Sequence, residues 1–226
     1  MLGAGYLWRQ RRDRLYQVIA ILFGIKALQR ISRISSSLLA PPPWNIHREQ
    51  YNILYQNLSF ESGDSIVDLG CGTGRSVVGM ASYLPVSYEL VGIDVFDSRV
   101  ILGNRPSVTL WNAKKSNADV SVVTGSIDNL PIRDSSQDIV TTSRVLHDVD
   151  AQSAIQAIQE AYRVLDTDGQ FGVIELPHTH GSDSDPIEYW ATLLENNNFE
   201  VQTIHTIPPD TTEDISYIVL IATPRG

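Results

Sequence analysis

Ile66-Val67-Asp68-Leu69-Gly70-Cys71-Gly72-Thr73-Gly74 is an apolar run that breaks into a loop with glycine at every second position. The run suits a buried strand, and the glycines admit positive φ and close approach of a ligand to the backbone. A helical pattern follows, whose first N–H groups lack intrahelical partners and can receive a carboxylate or phosphate. Twenty residues past Gly74, Asp94 ends a second apolar run, Leu90-Val91-Gly92-Ile93. An acid at that spacing suits the hydroxyls of a ribose. Glycine loops also serve as packing turns and such acids as helix caps, but the joint pattern favours a nucleoside site. A dinucleotide loop would require a third glycine at 75 or 77, where Arg75 and Val77 stand. The register disfavours a pyrophosphate and fits an adenosine carrying an amino-acid tail.

Outward from this loop, short apolar runs alternate with helical patterns, as βαβ units around a mainly parallel sheet require. Strands are expected near 65 to 69, 89 to 94, 120 to 124, 138 to 142, 170 to 176, 200 to 206 and 216 to 222. The loop Pro208-Pro209-Asp210-Thr211-Thr212 between the last two is too short for a parallel crossover, so they pair antiparallel. Helices are expected near 74 to 83, 106 to 117, 151 to 164 and 186 to 197, with Pro106 and Pro186 in first turns, where a missing N–H costs nothing. The expectation is an α/β fold with a seven-stranded, mostly parallel sheet ending in an antiparallel hairpin, preceded by N-terminal helices.

The 226 residues, 42% of them hydrophobic, suffice for one sizeable core with an appendage. Cys71 is the only cysteine, so no intramolecular disulfide forms, which suits a reducing, cytoplasmic setting. Charge is divided unevenly. Residues 1 to 48 hold eight Lys or Arg and one acid, and the remaining 178 hold nine and twenty-five, so the head is +7 and the body -16. Such a body repels phosphates, which disfavours a nucleic-acid partner. Lys26, Lys114 and Lys115 are the only lysines and Asp outnumbers Glu, a balance that suits high salt, where self-repulsion is screened.

In the head, Arg9, Arg11, Arg12 and Arg14 precede an apolar run from Leu15 to Leu28 that Gln17, Gly24 and Lys26 interrupt. A membrane span needs about 20 apolar residues, and this run falls short. Leu15, Val18, Ile19, Leu22 and Ile25 recur at helical spacing and give one apolar face. A basic helix of this kind serves equally to lie on an anionic membrane surface, with residues 1 to 40 as the anchor, or to pack on the body as a lid. No small-residue cleavage site closes the run, which argues against a cleaved signal peptide. Pro41-Pro42-Pro43 then stiffens the chain ahead of a helical stretch from Ile46 to Asn57. The organisation expected is an arm and linker over 1 to 58 and a cofactor-binding domain over 59 to 226.

Val67-Asp68-Leu69-Gly70-Cys71-Gly72-Thr73-Gly74 resembles the cofactor loop of the class I, Rossmann-like S-adenosylmethionine-dependent methyltransferases. Further landmarks follow in order. Gly125-Ser126-Ile127-Asp128-Asn129-Leu130-Pro131-Ile132, then Asp134-Ser135-Ser136-Gln137-Asp138-Ile139-Val140, is similar to the segment that cradles adenine and enters the fourth strand, and Ala161-Tyr162-Arg163-Val164-Leu165 resembles the next landmark. The stretch Asp97 to Asn117, with Gly103-Asn104-Arg105-Pro106 ahead of a helix, is similar to a subgroup acting on small molecules. The resemblance covers roughly 60 to 226. It implies S-adenosylmethionine as cofactor, with Asp68 organising its methionine end and Gly70, Cys71, Gly72 and Gly74 shaping the loop. It also implies Asp94 and Val95 at the ribose, Ser126 and Ile127 bordering adenine, and Ser143 closing the site. At Ser126 the family more often has an acid, and a serine oxygen accepts less strongly.

For methyl transfer the cofactor supplies the activation and the protein orients donor and acceptor. An acceptor that must shed a proton needs a base, and His147, just past the fourth strand, has the right ordinary pKa, near ~6.5, though a structural histidine would sit there as well. Asp148 either assists it or caps the next helix. Arg144, Asp148, Glu175 and His178 are the candidate residues facing the acceptor, since they leave the fourth and fifth strands where ligands of open sheets gather. Glu175, His178 and His180 lack the spacing of a metal set, so no metal is expected. Trp44, Tyr51 and Trp190 are aromatic candidates for the pocket wall or for core packing. The expected function is methylation of a small, hydrophobic or membrane-partitioning acceptor; the alternative is a regulatory module that binds the cofactor without turnover. No local pattern specifies an oligomeric state.

Overall fold

The computed structural model describes residues 49–99, 103–209 and 215–226, together with Lys26. The basic apolar helix, Trp44 and the start of the 46 to 57 helix lie outside the described residues. Contacts divide the chain into two units, Met1–Trp44 and Asn45–Gly226. Among the described residues no helix is long and apolar enough to cross a membrane.

The body begins with α1 (Glu49–Gln56), then β1 (Asp64–Leu69), α2 (Arg75–Met80), β2 (Tyr88–Asp94), α3 (Pro106–Lys115), β3 (Ser121–Thr124) and β4 (Gln137–Ser143). A 3₁₀ turn (Leu146–Asp148) leads into α4 (Ala151–Val164), β5 (Leu165–Glu175), α5 (Pro186–Glu195), β6 (Phe199–Ile207) and β7 (Tyr217–Pro224). The seven strands form one sheet in the order β3-β2-β1-β4-β5-β7-β6. The first five are parallel, and β7 runs antiparallel to both β5 and β6. The expected Rossmann-like α/β fold with its terminal hairpin is the observed one.

Neighbouring residues on a strand serve opposite faces, as the pleat requires. Ile66, Leu90, Ile139, Ile174, Val219 and Ile221 pack with Leu54, Val77, Met80 and Ala113 of α1, α2 and α3. Val67, Ile93, Val140, Val173, Ile218 and Leu220 pack with Ala154, Ile158 and Ala161 of α4 and Trp190 and Leu194 of α5. These near-continuous apolar strands are those of a sheet covered on both faces.

The boundary expected at residue 58 leaves α1 in the arm, yet this helix is part of the body. Tyr51, Leu54 and Tyr55 are buried in the same cluster as the sheet. Two glycines let α1 approach this closely: a Cβ on Gly172 would stand 2.8 Å from Leu54 Cδ1, and one on Gly79 2.8 Å from Tyr51 Cβ. Smaller departures concern element ends. α2 stops at Met80 rather than 83, and β5 begins immediately after α4, carrying the Asp166 to Gly169 turn within it. There Gln137 pairs with Leu165 and the register then shifts before Ile139 pairs with Gln170, so the extra residues bulge out of the ladder.

Candidate active site

Parallel pairing brings the C-terminal ends of β2, β1, β4 and β5 to one edge, and the chain reverses its direction of winding between β1 and β4. Ligands of open α/β sheets bind at that switch point. The glycine loop leaves β1 there. Gly70 has φ +69°, and a Cβ on it would lie 2.3 Å from Val145 Cγ2, so both backbone conformation and the turn after β4 demand glycine. Gly70 and Cys71 donate their N–H groups to Ile93 O at 2.7 and 3.1 Å, tying the loop to the end of β2. Cys71 points its side chain inward against Gly92, and burial, followed by the charges of Asp68 and Asp94, raises its thiol pKa far above the ordinary value.

Asp94 closes β2 with three donors on its carboxylate: Gly72 N at 2.9 Å on Oδ2, and Phe96 N at 2.5 Å and Asn104 Nδ2 at 3.0 Å on Oδ1. A carboxylate offers about four acceptor positions, so one remains for a ribose hydroxyl. Val95, immediately after it, is 57% exposed, an apolar side chain held open beside the acid. Ser126 is exposed and Ile127 buried in the loop after β3, across from the same edge. That loop is fastened by Arg163 of α4, which donates to Ile132 O at 2.8 Å and Leu130 O at 3.2 Å while pairing with Glu160 and Asp134. In the sequence Arg163 stands only within the landmark Ala161-Tyr162-Arg163-Val164-Leu165. Its work is long-range, and a single arginine in a helix pattern gives no local sign of it.

Asp68 is fully buried, with Ser76 and Thr141 donating hydroxyls to its two oxygens, the latter at 2.8 Å. Burial raises its pKa to about 6, against the lowering effect of those hydroxyls. It therefore lies beneath the glycine loop as a buried acid with no exposed surface of its own. Ser143 at the end of β4 donates to Tyr51 Oη at 3.3 Å, which sets α1 beside the site. Arg144 follows in a left-handed conformation, φ +60°, with its Nε buried and unpartnered among the described residues.

The residues expected to face an acceptor separate into different roles. Glu175 has no exposed surface: Oε1 accepts from Val145 N at 3.0 Å and Leu146 N at 2.7 Å, and Oε2 stands 2.6 Å from His147 Nδ1. It caps the 3₁₀ turn, holds the imidazole and accepts from Leu176 N at 3.2 Å on Oε2, which fills its four acceptor positions and turns the side chain to positioning rather than toward an acceptor. Burial pulls the His147 pKa down, but the hydrogen bond and charge of Glu175, with Asp148, prevail and the net shift is upward. Asp148 lies 3.3 Å from His147 Nε2, and the N-cap of α4 is Asp150 instead, accepting from Ser153 N at 2.9 Å. His178 is exposed with its ring 6.4 Å from that of His147. His180 is spent on structure, its Nδ1 against Tyr189 Oη at 2.7 Å and its Nε2 donating to Leu146 O and Val149 O. Trp190 is core, its Nε1 donating to Leu176 O at 2.9 Å. Among the described residues no three His, Cys, Asp or Glu side chains converge on a metal position.

Residues 67–173 match the family described as a methyltransferase domain. A demethylmenaquinone methyltransferase of Lactobacillus johnsonii is 31% identical over 121 residues, 54% of this chain and 47% of that protein. A ubiquinone/menaquinone biosynthesis C-methyltransferase of Geotalea uraniireducens is 26% identical over 132 residues, 58% of this chain and 54% of that protein. The chain spans about half the length of the curated relatives it matches. Among solved structures, 1,6-didemethyltoxoflavin-N1-methyltransferase of Burkholderia thailandensis, bound to 1,6-didemethyltoxoflavin and S-adenosylhomocysteine, aligns with TM-score 0.63 at 18% identity over 90% of each chain. Sheet order, glycine loop and domain match identify residues 67–173 as a class I S-adenosylmethionine-dependent methyltransferase domain. The matched domain begins inside β1 and ends inside β5, so it includes the C-terminal ends of β1, β2 and β4 and stops two residues short of that of β5.

Proposed function

We propose that the chain transfers the methyl group of S-adenosylmethionine to a small, lipid-soluble hydroxyaromatic acceptor of quinol type, with His147 as general base. The observation that carries this reading is the His147–Glu175 pair at 2.6 Å beside the cofactor edge. Bound there, the cofactor supplies an electrophilic methyl on a sulfonium. Asp94 and Val95 would receive its ribose, Ser126 and Ile127 would border adenine, and the field of Asp68 would favour its positive charges. Glu175 fixes the proton on His147 Nδ1, which leaves Nε2 with the lone pair that accepts a phenolic proton. Asp148 beside Nε2 then stabilises the imidazolium. Removal of that proton loads electron density onto the acceptor, and Arg144 can face the resulting anion. The quinone-methylating relatives support this acceptor class.

Two measurements test it separately. Calorimetry with S-adenosylhomocysteine is expected to show binding that Asp94→Ala weakens at least tenfold; no binding, or an unchanged Kd in the variant, overturns the cofactor site. With a reduced naphthoquinol, His147→Ala is expected to lose about 10²- to 10⁴-fold in kcat while keeping cofactor affinity. Unchanged turnover removes the base. Glu175→Gln presents an amide N–H to Nδ1, disfavours the productive tautomer, and is expected to lower kcat and move the acid limb of the pH profile downward, because the carboxylate no longer raises the His147 pKa.

A further inference from the structure

α3 is two-sided. Its inner face is spent on the cofactor loop: Thr109 Oγ1 donates to Gly72 O at 2.6 Å and Asn112 Nδ2 to Thr73 O at 2.7 Å. Its outer face carries Leu110 and Trp111, each 44% exposed, with Lys114 and Lys115 a turn further on. Single exposed apolar residues are ordinary on a protein surface. Here a leucine and a tryptophan are adjacent, and Lys115 Nζ lies 3.7 Å from the centre of the Trp111 ring.

Charge selects the partner. Residues 98 to 118 contain Arg99, Arg105, Lys114 and Lys115 and no acid, in a body that otherwise has five cations and twenty-five acids. Arg99 is neutralised by Asp97 in a 2.5 Å ion pair, whereas Arg105, Lys114 and Lys115 have no ion pair among the described residues. Nucleic acid requires a row of cations and bases stacked on free aromatic faces, and the one tryptophan here already has a lysine over it. A tryptophan and a leucine at headgroup depth, with lysines beside them, match an anionic lipid surface.

We propose that the outer face of α3, formed by Leu110, Trp111, Lys114 and Lys115, docks the protein on an anionic bilayer. Docking there places the cofactor loop one helix width from the lipid, on the same helix that holds it. The surface is distinct from the N-terminal arm and stands whether or not His147 is the base.

Flotation of the full chain with vesicles of equal phosphatidylcholine and phosphatidylglycerol tests this, since every variant keeps the arm. Each lysine at an anionic surface is worth about fivefold in affinity, so Lys114→Glu/Lys115→Glu is expected to weaken binding by about 25-fold or more. Leu110→Ser/Trp111→Ser is expected to weaken it at least tenfold. All four positions are exposed, and unchanged affinity for S-adenosylhomocysteine verifies that each variant is folded. Wild-type affinity in both variants overturns the proposal, as does equal binding to phosphatidylcholine alone. Sedimentation showing a wild-type dimer that Leu110→Ser/Trp111→Ser dissociates, with no flotation, assigns the face to a second copy and also overturns it.

Discussion

At the scale of single residues, Asp68 shows how burial changes the meaning of a motif position. The family resemblance gives it the organisation of the cofactor's methionine end; the fold buries it with Ser76 and Thr141 donating to its two oxygens. Its folded pKa, about 6, lies above the ordinary carboxyl value of 3.8. The folded state therefore holds the proton more tightly between those values. This contribution to stability is fully present below the lower one and is lost as pH rises through the upper one. Ligand binding has the opposite preference, because only the ionised form attracts a sulfonium and an ammonium. One charge at several ångströms in a medium of effective dielectric about 20 is worth on the order of 1 to 2 kcal/mol, or about tenfold in affinity. Affinity for S-adenosylmethionine is thus expected to fall several-fold as pH drops below about 6, and Asp68→Asn to flatten that dependence. An Asn variant with the wild-type pH profile would show that another group titrates. Glu175 makes the same point from another direction. Its position after β5 is legible in the sequence, but which way its carboxylate turns depends on the N–H groups of a 3₁₀ turn 29 residues earlier.

At the scale of elements, the strands were legible because each is apolar, short and bounded by turn residues. All seven fall within a few residues of the expected ranges. α1 is legible as a helix, but the expected boundary at 58 separates it from the sheet on which it packs. Proline punctuation marks a plausible linker, but domain membership depends on what a helix buries, and α1 buries Leu54 over Gly172 and Tyr51 over Gly79. Filling that space should expose its importance. Gly172→Val is expected to cost about 1 to 3 kcal/mol by overpacking, to lower the urea midpoint, and to weaken cofactor binding by displacing Tyr51 from Ser143. An unchanged midpoint would mean that α1 can move off the sheet without penalty. The 3₁₀ turn at Leu146–Asp148 has no periodicity to announce it, since three residues cannot establish one.

At the scale of the molecule, the body carries a net charge of -16 on 178 residues, and self-repulsion of that size opposes compaction. Salt screens it, with a Debye length of about 10 Å at 0.1 M and about 3 Å at 1 M. The melting temperature is therefore expected to rise by several degrees between low salt and 1 M NaCl, followed by differential scanning calorimetry. A flat or falling curve would show that the acids are already compensated by local partners, as Asp134 and Glu160 are by Arg163. The same imbalance makes the cations of 98 to 118 stand out, because lysines that would be lost in an ordinary surface are here the only two in the body.

By itself the sequence determined the alternation of strands and helices, the antiparallel ending and the nucleoside character of the loop, because hydrophobic period, proline and glycine act locally. The absence of a third glycine at 75 or 77 was equally local, and it separated this loop from a dinucleotide site. Tertiary structure alone decided which side chains at the sheet edge are free. Glu175, His180 and Trp190 lie where ligands gather, yet all three are bound to backbone groups or buried, while His147 keeps one nitrogen beside an exposed acid. The partners of Glu175, His180 and Trp190 lie 29, 34 and 14 residues away. No local pattern encodes them, since a buried polar group is satisfied by whatever donor the fold brings within about 3 Å.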